Sequence, residues 1–155
     1  IMAKNGFSMS NRVAVEQITA DRTLTVNDCG KVLVVDSRGT SALTITLPDP
    51  AAAEDGWNCT VLFESGSIVE DSTHVQNVVI TSSQDDSSDG NLFVRSLNTF
   101  QSPHVNGEAG QAKSVTAAAA SIQTGDRIDV LIVKGNALGS KYHVNAISSA
   151  SLTLG

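Results

Sequence analysis

Three short apolar runs, rich in β-branched residues, alternate with turn residues between Leu24 and Pro48 (LTVNDCGKVLVVDSRGTSALTITLP). Val, Ile and Thr favour a pleated, half-buried strand, whereas Asn, Asp and Gly supply the backbone angles of tight turns. The same rhythm continues almost to the C-terminus, with few charged or aromatic side chains inside the runs. The chain is therefore predicted to be nearly all strand and turn, a structure suited to presenting a surface.

This rhythm predicts an all-β fold, which we expect to be an antiparallel β-sandwich or tulip-like domain over residues 17–155. Residues 1–16 have little periodicity and are predicted to form an extended N-terminal arm. A single short helical turn is expected near Ala51–Glu54. The predicted strands are Leu24–Val26, Lys31–Asp36, Ala42–Leu47, Asn58–Glu64, Asn77–Thr81, Leu92–Ser96, Lys113–Ala117, Arg127–Lys134, Lys141–Ile147 and Ser151–Leu154.

Two kinds of hydrophobic pattern occur within the predicted strands. In LTITL, Leu43, Ile45 and Leu47 alternate with threonines, which predicts one buried and one exposed face. By contrast, Val32–Val35 and Val130–Val133 are continuous apolar runs, which indicates cover on both faces. Two interpretations stay open for these runs: central strands of two packed sheets, or an interface between protomers.

Length and charge exclude several classes of protein. A chain of 155 residues fits one domain that buries roughly 70% of its unfolded surface. The net charge of −6 and the scattered basic residues argue against a nucleic-acid partner, which requires clustered Lys and Arg. No apolar run approaches the roughly 20 residues of a membrane helix, so no membrane partner is expected. The first residues lack the apolar core of a secretory signal, so we expect no export by that route.

Sequence motifs for catalysis and for metal or cofactor binding are missing. His74, His104 and His143 stand far apart without ligands at suitable spacing, and no nucleophile elbow or phosphate-binding loop occurs. Cys29 and Cys59 are expected to be reduced, mostly buried thiols, with pairing left open if their strands are neighbours. We therefore expect a protein that is not an enzyme and has no cofactor. The alternative is an enzyme whose catalytic groups meet only in the folded chain.

One acidic loop resembles a cation site in its spacing. Within Ser82–Asn91, Asp85, Ser87 and Asp89 fall on alternate positions, as the oxygen ligands of a calcium loop do. However, Ser96 occupies the position where a bidentate Glu would complete the coordination shell. The main expectation is therefore a solvated acidic loop without metal, with weak Ca²⁺ binding as the alternative.

Trp57 and Tyr142 each lie close to the start of a predicted strand. An aromatic ring at such a position either closes the end of a β core or stacks on a sugar. The second interpretation makes a carbohydrate-binding module one of the alternatives for this chain.

Five segments of the chain resemble a pattern found in virion proteins of tailed bacteriophages. The segments are Ile18–Thr25 (ITADRTLT), Asp28–Val32 (DCGKV), Thr44–Pro48 (TITLP), Gly125–Ile128 (GDRI) and Lys141–Ile147 (KYHVNAI). They are similar to "TADRTLT…DSGKV…D…(T)VTLP" and to a C-terminal "WxVSG". The resemblance covers most of residues 18–154 and is strongest with capsid decoration, or head cement, proteins.

This resemblance implies a non-catalytic protein that binds the head lattice across neighbouring capsomers and stabilises it. The implied partners are the major capsid protein and two further copies in a homotrimer, at the outer surface of a capsid made in the host cytoplasm. Head fibre, tail or tail-fibre modules are the alternatives within the virion. The expected contact residues lie in the arm and the long loop after residue 99: Lys4, Phe7, Met9, Arg12, Phe100 and His104.

The calcium alternative has a direct test. With a solvated loop, Ca²⁺ added at millimolar concentration changes neither the melting temperature nor the amide signals of Asp85 to Asn91. Amide signals of this loop that move and saturate would identify a weak Ca²⁺ site.

Overall fold

The structure is a computed structural model that describes residues 13–36, 38–39, 41–64, 76–83, 92–98, 109–119, 122–135, 139–148 and 152–155. These residues form twelve strands and one short 3-10 helix, Val26–Asp28. The strands are β1 Val15–Ile18, β2 Arg22–Thr23, β3 Lys31–Val35, β4 Leu43–Leu47, β5 Asn58–Phe63, β6 Val78–Ser82, β7 Leu92–Asn98, β8 Ala109–Ala112, β9 Ser114–Ala117, β10 Arg127–Gly135, β11 Gly139–Ser148 and β12 Leu152–Leu154.

The strands make two sheets, which confirms the predicted all-β class. The large sheet has seven strands in the order β1-β3-β5-β10-β11-β7-β8. The small sheet has five strands in the order β12-β9-β6-β4-β2. The finer expectation of a sandwich or tulip-like outline stays a prediction.

The prediction of an antiparallel arrangement is wrong, because both sheets are mixed. Over the first six strands the chain alternates between the sheets, so β1, β3 and β5 pair in parallel, as do β2, β4 and β6. Each strand is followed by a strand of the opposite sheet, and the chain then returns to the first sheet in its original direction. The intervening strand thus serves as the crossover that a parallel pair requires. Antiparallel pairing dominates only later, as in the long β10–β11 pair.

One hydrophobic core contains the buried side chains of both sheets. On β4, Leu43, Ile45 and Leu47 are 2%, 0% and 0% exposed, and the threonines between them lie on the opposite face. On β3 the same alternation buries Leu33 and Val35. The period of two therefore places one side of every long strand in this shared core.

Trp57 and Tyr142 both belong to the core, with 2% and 0% of their surface exposed. The Trp57 indole nitrogen donates a hydrogen bond to the Val26 carbonyl oxygen at 3.2 Å. The Tyr142 hydroxyl donates to the carbonyl oxygen of Pro48. Burial raises the pKa of Tyr142 to about 12, so the phenol stays protonated and keeps this donor. Neither ring offers a face to a sugar.

Most predicted strands agree with the structure to within two residues, but the strand predicted over Leu24–Val26 is wrong. β2 ends at Thr23, and the chain then forms the 3-10 helix Val26–Asp28. The backbone N–H of Thr25 donates to the Asp28 carboxylate at 2.7 Å, which closes a capping box. This local hydrogen bonding competes with strand pairing and turns the chain towards β3.

Three strands were not expected from the sequence: β1, β2 and β8. β1 begins at Val15, so the sheet includes two residues of the predicted arm, and β8 (Ala109–Ala112) lies at the end of the predicted long loop. Their sequences VEQI, RT and AGQA lack the β-branched alternation of the other strands. They are outer strands of the described sheets and owe their conformation to the neighbour with which each pairs.

The expected turn near Ala51–Glu54 is confirmed. The carbonyl oxygen of Asp49 accepts hydrogen bonds from the backbone of Ala52 and Ala53 at 3.1 and 3.0 Å. The Asp49 carboxylate accepts a third from Ala51 at 2.8 Å. Ala53 is fully buried, so this turn closes one end of the core.

Truncation of Ile45 tests the shared core. We expect Ile45→Ala to lower the free energy of unfolding by about 2–5 kcal/mol, because it leaves a cavity between well-packed strands. Ile45→Val removes one methylene and should cost about 0.5–1.5 kcal/mol. The matched control, Thr44→Ala on the opposite face of β4, should cost no more than about 1 kcal/mol. Urea denaturation measures all three, and equal losses for Ile45→Ala and Thr44→Ala would contradict the assigned faces.

Candidate functional site

The residues predicted for binding lie outside the described part of the structure. These are the arm and loop residues Lys4, Phe7, Met9, Arg12, Phe100 and His104, and the calcium-loop residues Asp85, Ser87 and Asp89. Their roles stay predictions. The described residues instead present three other features: a ring of charges at one end of the core, and two outer sheet faces of contrasting chemistry.

The ring of charges lies where the stack of parallel strands begins. Glu16 on β1 pairs with Leu33, and Arg22 on β2 pairs with Ile45. Because Leu33 and Ile45 are fully buried, both charged residues occupy core-facing positions. Lys31 pairs with a buried partner as well, Cys59 of β5. The first pair of strands thus ends the apolar core with charged side chains.

Four ion pairs join these residues into a closed polar ring, defined as Glu16, Arg22, Asp28 and Lys31. Glu16 contacts the Arg22 Nε at 2.9 Å and the Lys31 Nζ at 2.8 Å. Asp28 contacts the same Lys31 Nζ at 2.6 Å and Nη2 of Arg22 at 3.2 Å. The ring therefore joins β1 of the large sheet to β2 of the small one.

The carboxylates of the ring are held in the charged form. Burial alone would raise the pKa of Asp28, but hydrogen bonds from Lys31 and Thr25 and the charge of Arg22 outweigh it and lower the pKa to about 2. Hydrogen bonds from Arg22 and then Lys31 lower the pKa of Glu16. Groups paired in this way stabilise the fold and do not serve as proton donors or acceptors near neutral pH.

The polar ring also acts on how the sheets end. β1 and β2 are the outermost strands at this end of the described sheets. The outermost strand of a sheet is the usual place where a further strand pairs. Inward-pointing charges on an edge strand disfavour such pairing, because an added strand would bury them further from water. The ring therefore closes the core and discourages strand addition at this edge.

The outer face of the small sheet is almost entirely hydroxyl-bearing. One row across it consists of Thr23, Thr46, Thr81 and Ser114, and the next consists of Thr44, Val79, Thr116 and Thr153. No side chain in either row is charged, and Val79 is the single apolar member. Such rows suit a strand surface in contact with water.

The outer face of the large sheet is apolar and charged instead. Its rows contain Val15, Val32, Thr60, Asp129 and Asn145, then Gln17, Val34, Leu62, Arg127 and Ile147, with Leu131 and His143 paired beyond them. Val15, Ile147 and Leu131 are 63%, 53% and 40% exposed. The continuous run Val32–Val35 is therefore covered on its inner side, while Val32 and Val34 are only half-buried. Val15, Val32, Val34 and Leu62 occupy neighbouring positions of this face, and apolar side chains grouped in this way are typical of an interaction surface.

The two cysteines are free thiols in neighbouring parts of the large sheet. Cys59 lies in the core, and burial raises its pKa to about 12, so it is inert as a nucleophile. Cys29, expected to be buried, is exposed instead because it occupies the turn before β3.

An open groove of about 400 Å³ lies beside the connection between β1 and β2. Asp21 is the single ionisable residue among those that line it, and its carboxylate already accepts a hydrogen bond from the Thr44 backbone at 2.8 Å.

Within the described ranges, His, Cys, Asp and Glu form no group of three or more that could hold a metal ion. The same part of the chain contains no helix long and apolar enough to cross a membrane. Comparison with known protein families, curated proteins and solved structures finds no match to this chain.

The sequence patterns do not predict the polar ring, although three of its residues lie in the motif segments. Arg22, Asp28 and Lys31 all lie in the quoted motif segments, and Glu16 was assigned to the arm. The signal in the sequence is a charged residue beside an apolar run, at a position that faces the core. A charged residue can be assigned to such a position only when the pairing of β1 with β3 is known.

Acid titration tests the ring. Asp28 titrates at about 2 in the folded chain and near 3.9 when unfolded, so its contribution is complete above about pH 5 and is lost as the pH falls towards 2. We expect Asp28→Asn to be less stable than wild type at pH 7 by on the order of 2 kcal/mol. The two should converge at acid pH.

Urea denaturation between pH 2.5 and pH 7 provides the measurement. Glu54→Gln is the matched control, because Glu54 is an exposed carboxylate outside the ring and outside both outer sheet faces. Parallel stability curves for wild type and Asp28→Asn would contradict the assigned role of the ring.

Proposed function

We propose that this chain is a bacteriophage capsid decoration protein, which binds the head lattice across neighbouring capsomers and stabilises it without catalysis. The proposal starts from the resemblance of residues 18–154 to tailed-phage virion proteins. The observation that carries it furthest is the contrast between the two outer faces, one hydroxyl-bearing and one apolar. A protein that acts through contact needs an adhesive side and a hydrated side.

The described chemistry supports contact in place of turnover. Asp28, whose pKa is lowered to about 2, is held in ion pairs at one end of the core, and the thiol of Cys59 is buried. A decoration protein gains affinity by repeating weak contacts, since linking copies makes later contacts intramolecular and raises avidity by about 10²–10⁴. An acidic chain of net charge −6 also keeps free copies soluble before they bind.

The motif segments behind the resemblance supply framework residues. Ile18, Leu24, Ile45 and Leu47 belong to the core, and Asp28 belongs to the polar ring. These segments therefore support a shared scaffold and leave the position in the virion to the test. Head fibre, tail or tail-fibre modules remain the second candidate, because the same scaffold and adhesive face suit them equally.

The carbohydrate-binding alternative has lost its basis in this chain. It depended on stacking by Trp57 or Tyr142, and both rings are buried. The ring contact seen among the described residues joins Phe93 and His143, whose centroids lie 5.7 Å apart with planes inclined by 37°, so the two rings do not form one flat stacking surface.

Binding to heads tests the proposal. Heads assembled from the major capsid protein of the same genome, lacking this chain, are mixed with it, sedimented and imaged by electron microscopy. We expect co-sedimentation, regular knobs over the shell and a higher temperature of head disruption. Attachment to tails or fibres alone would contradict the head assignment and favour the second candidate.

Deletion of residues 1–12 tests the arm. Because the first described contact with β3 comes from the Ala14 carbonyl, the deletion should leave the fold and its melting temperature nearly unchanged. We expect it to abolish attachment to heads, and Lys4→Ala with Arg12→Ala to weaken it. The matched control, Phe100→Ala with His104→Ala, reports the contribution of the loop, and unchanged attachment after the deletion would remove the arm from the mechanism.

A further inference from the structure

We propose that the outer face of the large sheet is the surface through which copies of this chain contact one another. The inference deepens the proposed function, on which it rests for the expectation of a trimer. It places the self-contact on one face and assigns the outer face of the small sheet to water. The argument depends on the register of the described strands and on the charge of the chain.

Apolar side chains occupy neighbouring positions on this face. Val34 lies between Gln17 and Leu62 in one row, and Val32 lies between Val15 and Thr60 in the next. Three strands therefore contribute a continuous apolar strip to the outer face. Ile147 on β11 and Leu131 on β10 are separate apolar side chains of the same face and are 53% and 40% exposed.

The small sheet provides an internal comparison. Val79 has the same setting as Val34, since both are half-buried valines on the outer face of a strand paired on both sides. Its row neighbours, however, are Thr44 and Thr116. The chain thus has one outer face of hydroxyl side chains, which suits contact with water, and one outer face with an apolar strip, which does not.

Charge favours a second copy as the occupant. The chain carries a net charge of −6, so two copies repel each other over most of their surface. Within the paired rows of the described outer face of the large sheet, the charged residues are Arg127, Asp129 and Lys141, so these rows have no excess negative charge. An acidic protein meets its own copies at least electrostatic cost through such a face.

The charges on the face are also arranged in a self-complementary way. Arg127 and Asp129 stand two residues apart on β10, and the Arg127 Nε lies 2.9 Å from both carboxylate oxygens of Asp129. Around a three-fold axis, the Arg127 of each copy can lie against the Asp129 of the next copy, so that every copy contributes one donor and one acceptor. The pair then supplies register to an otherwise apolar contact.

The face is large enough for a stable contact. Seven strands spaced about 4.8 Å apart span roughly 30 Å, and the central strands run for about 20–30 Å. The resulting area of roughly 600–900 Å² is comparable to the ~800 Å² that each partner buries in a standard interface.

Two charged substitutions with a matched control test the proposal. Sedimentation velocity of the full chain is measured at concentrations from 1 to about 50 µM, together with circular dichroism to follow the fold. We expect wild type to be oligomeric and Val34→Glu to raise the dissociation constant of the oligomer at least tenfold. Val79→Glu, the same change on the small sheet, should leave the dissociation constant unchanged. Ile147→Glu, at an exposed position that tolerates a charge, repeats the test should Val34→Glu fail to fold.

The outcomes separate the inference from the proposed function. A monomeric wild type overturns the inference, and so does an oligomer that persists in Ile147→Glu and in folded Val34→Glu, or that is lost in Val79→Glu alone. Face-dependent dissociation combined with no binding to heads supports the inference and removes the capsid role. Binding to heads by a monomeric wild type supports the capsid role and overturns the inference. A dimer that Val34→Glu dissociates supports the assigned face and contradicts the expected trimer.

Discussion

The hydrophobic core that both sheets share is the constraint on which the rest of the structure depends. Each early strand is followed by a strand of the opposite sheet, so neither sheet forms before the chain has crossed the core. Leu33 and Ile45, in successive strands, are both fully buried there. A shift of one residue in any strand would turn its apolar side outward, which makes the register of both sheets a consequence of this core. The polar ring ends the core at the first strands.

The outer faces consist of residues whose identity the packing of the core does not constrain. Apart from the ring residues Glu16, Arg22 and Lys31, the inward positions of the long strands are mainly apolar in both sheets, so the sheets differ chiefly at the alternate residues. Thr44 and Thr46 occupy them on β4, whereas Val32 and Val34 occupy them on β3. The binding properties of such a fold depend on these alternate positions, because substitutions there change how strongly a face binds without changing the core.

Much of the candidate site was beyond reach of the sequence for a physical reason. The segment Asp28–Val32 belongs to the motif pattern, but the role of Asp28 arises from contacts with Arg22 on β2 and Lys31 on β3. These contacts exist only because β1 and β2 pair with the following strands of their own sheets. The short segments concerned have no strand pattern of their own, and tertiary pairing overrides weak local propensity.

The sequence alone determined the all-β class, the bounds of most strands and the inward side of β4. These properties follow from local periodicity, which acts over a few residues and is legible in Leu43, Ile45 and Leu47. The tertiary structure decided which strands pair, that half of the described pairings are parallel, and that Val32 and Val34 lie on the outer face of the large sheet. Pairing joins segments far apart in the chain, and its direction depends on how two whole sheets share one core, which no local pattern encodes.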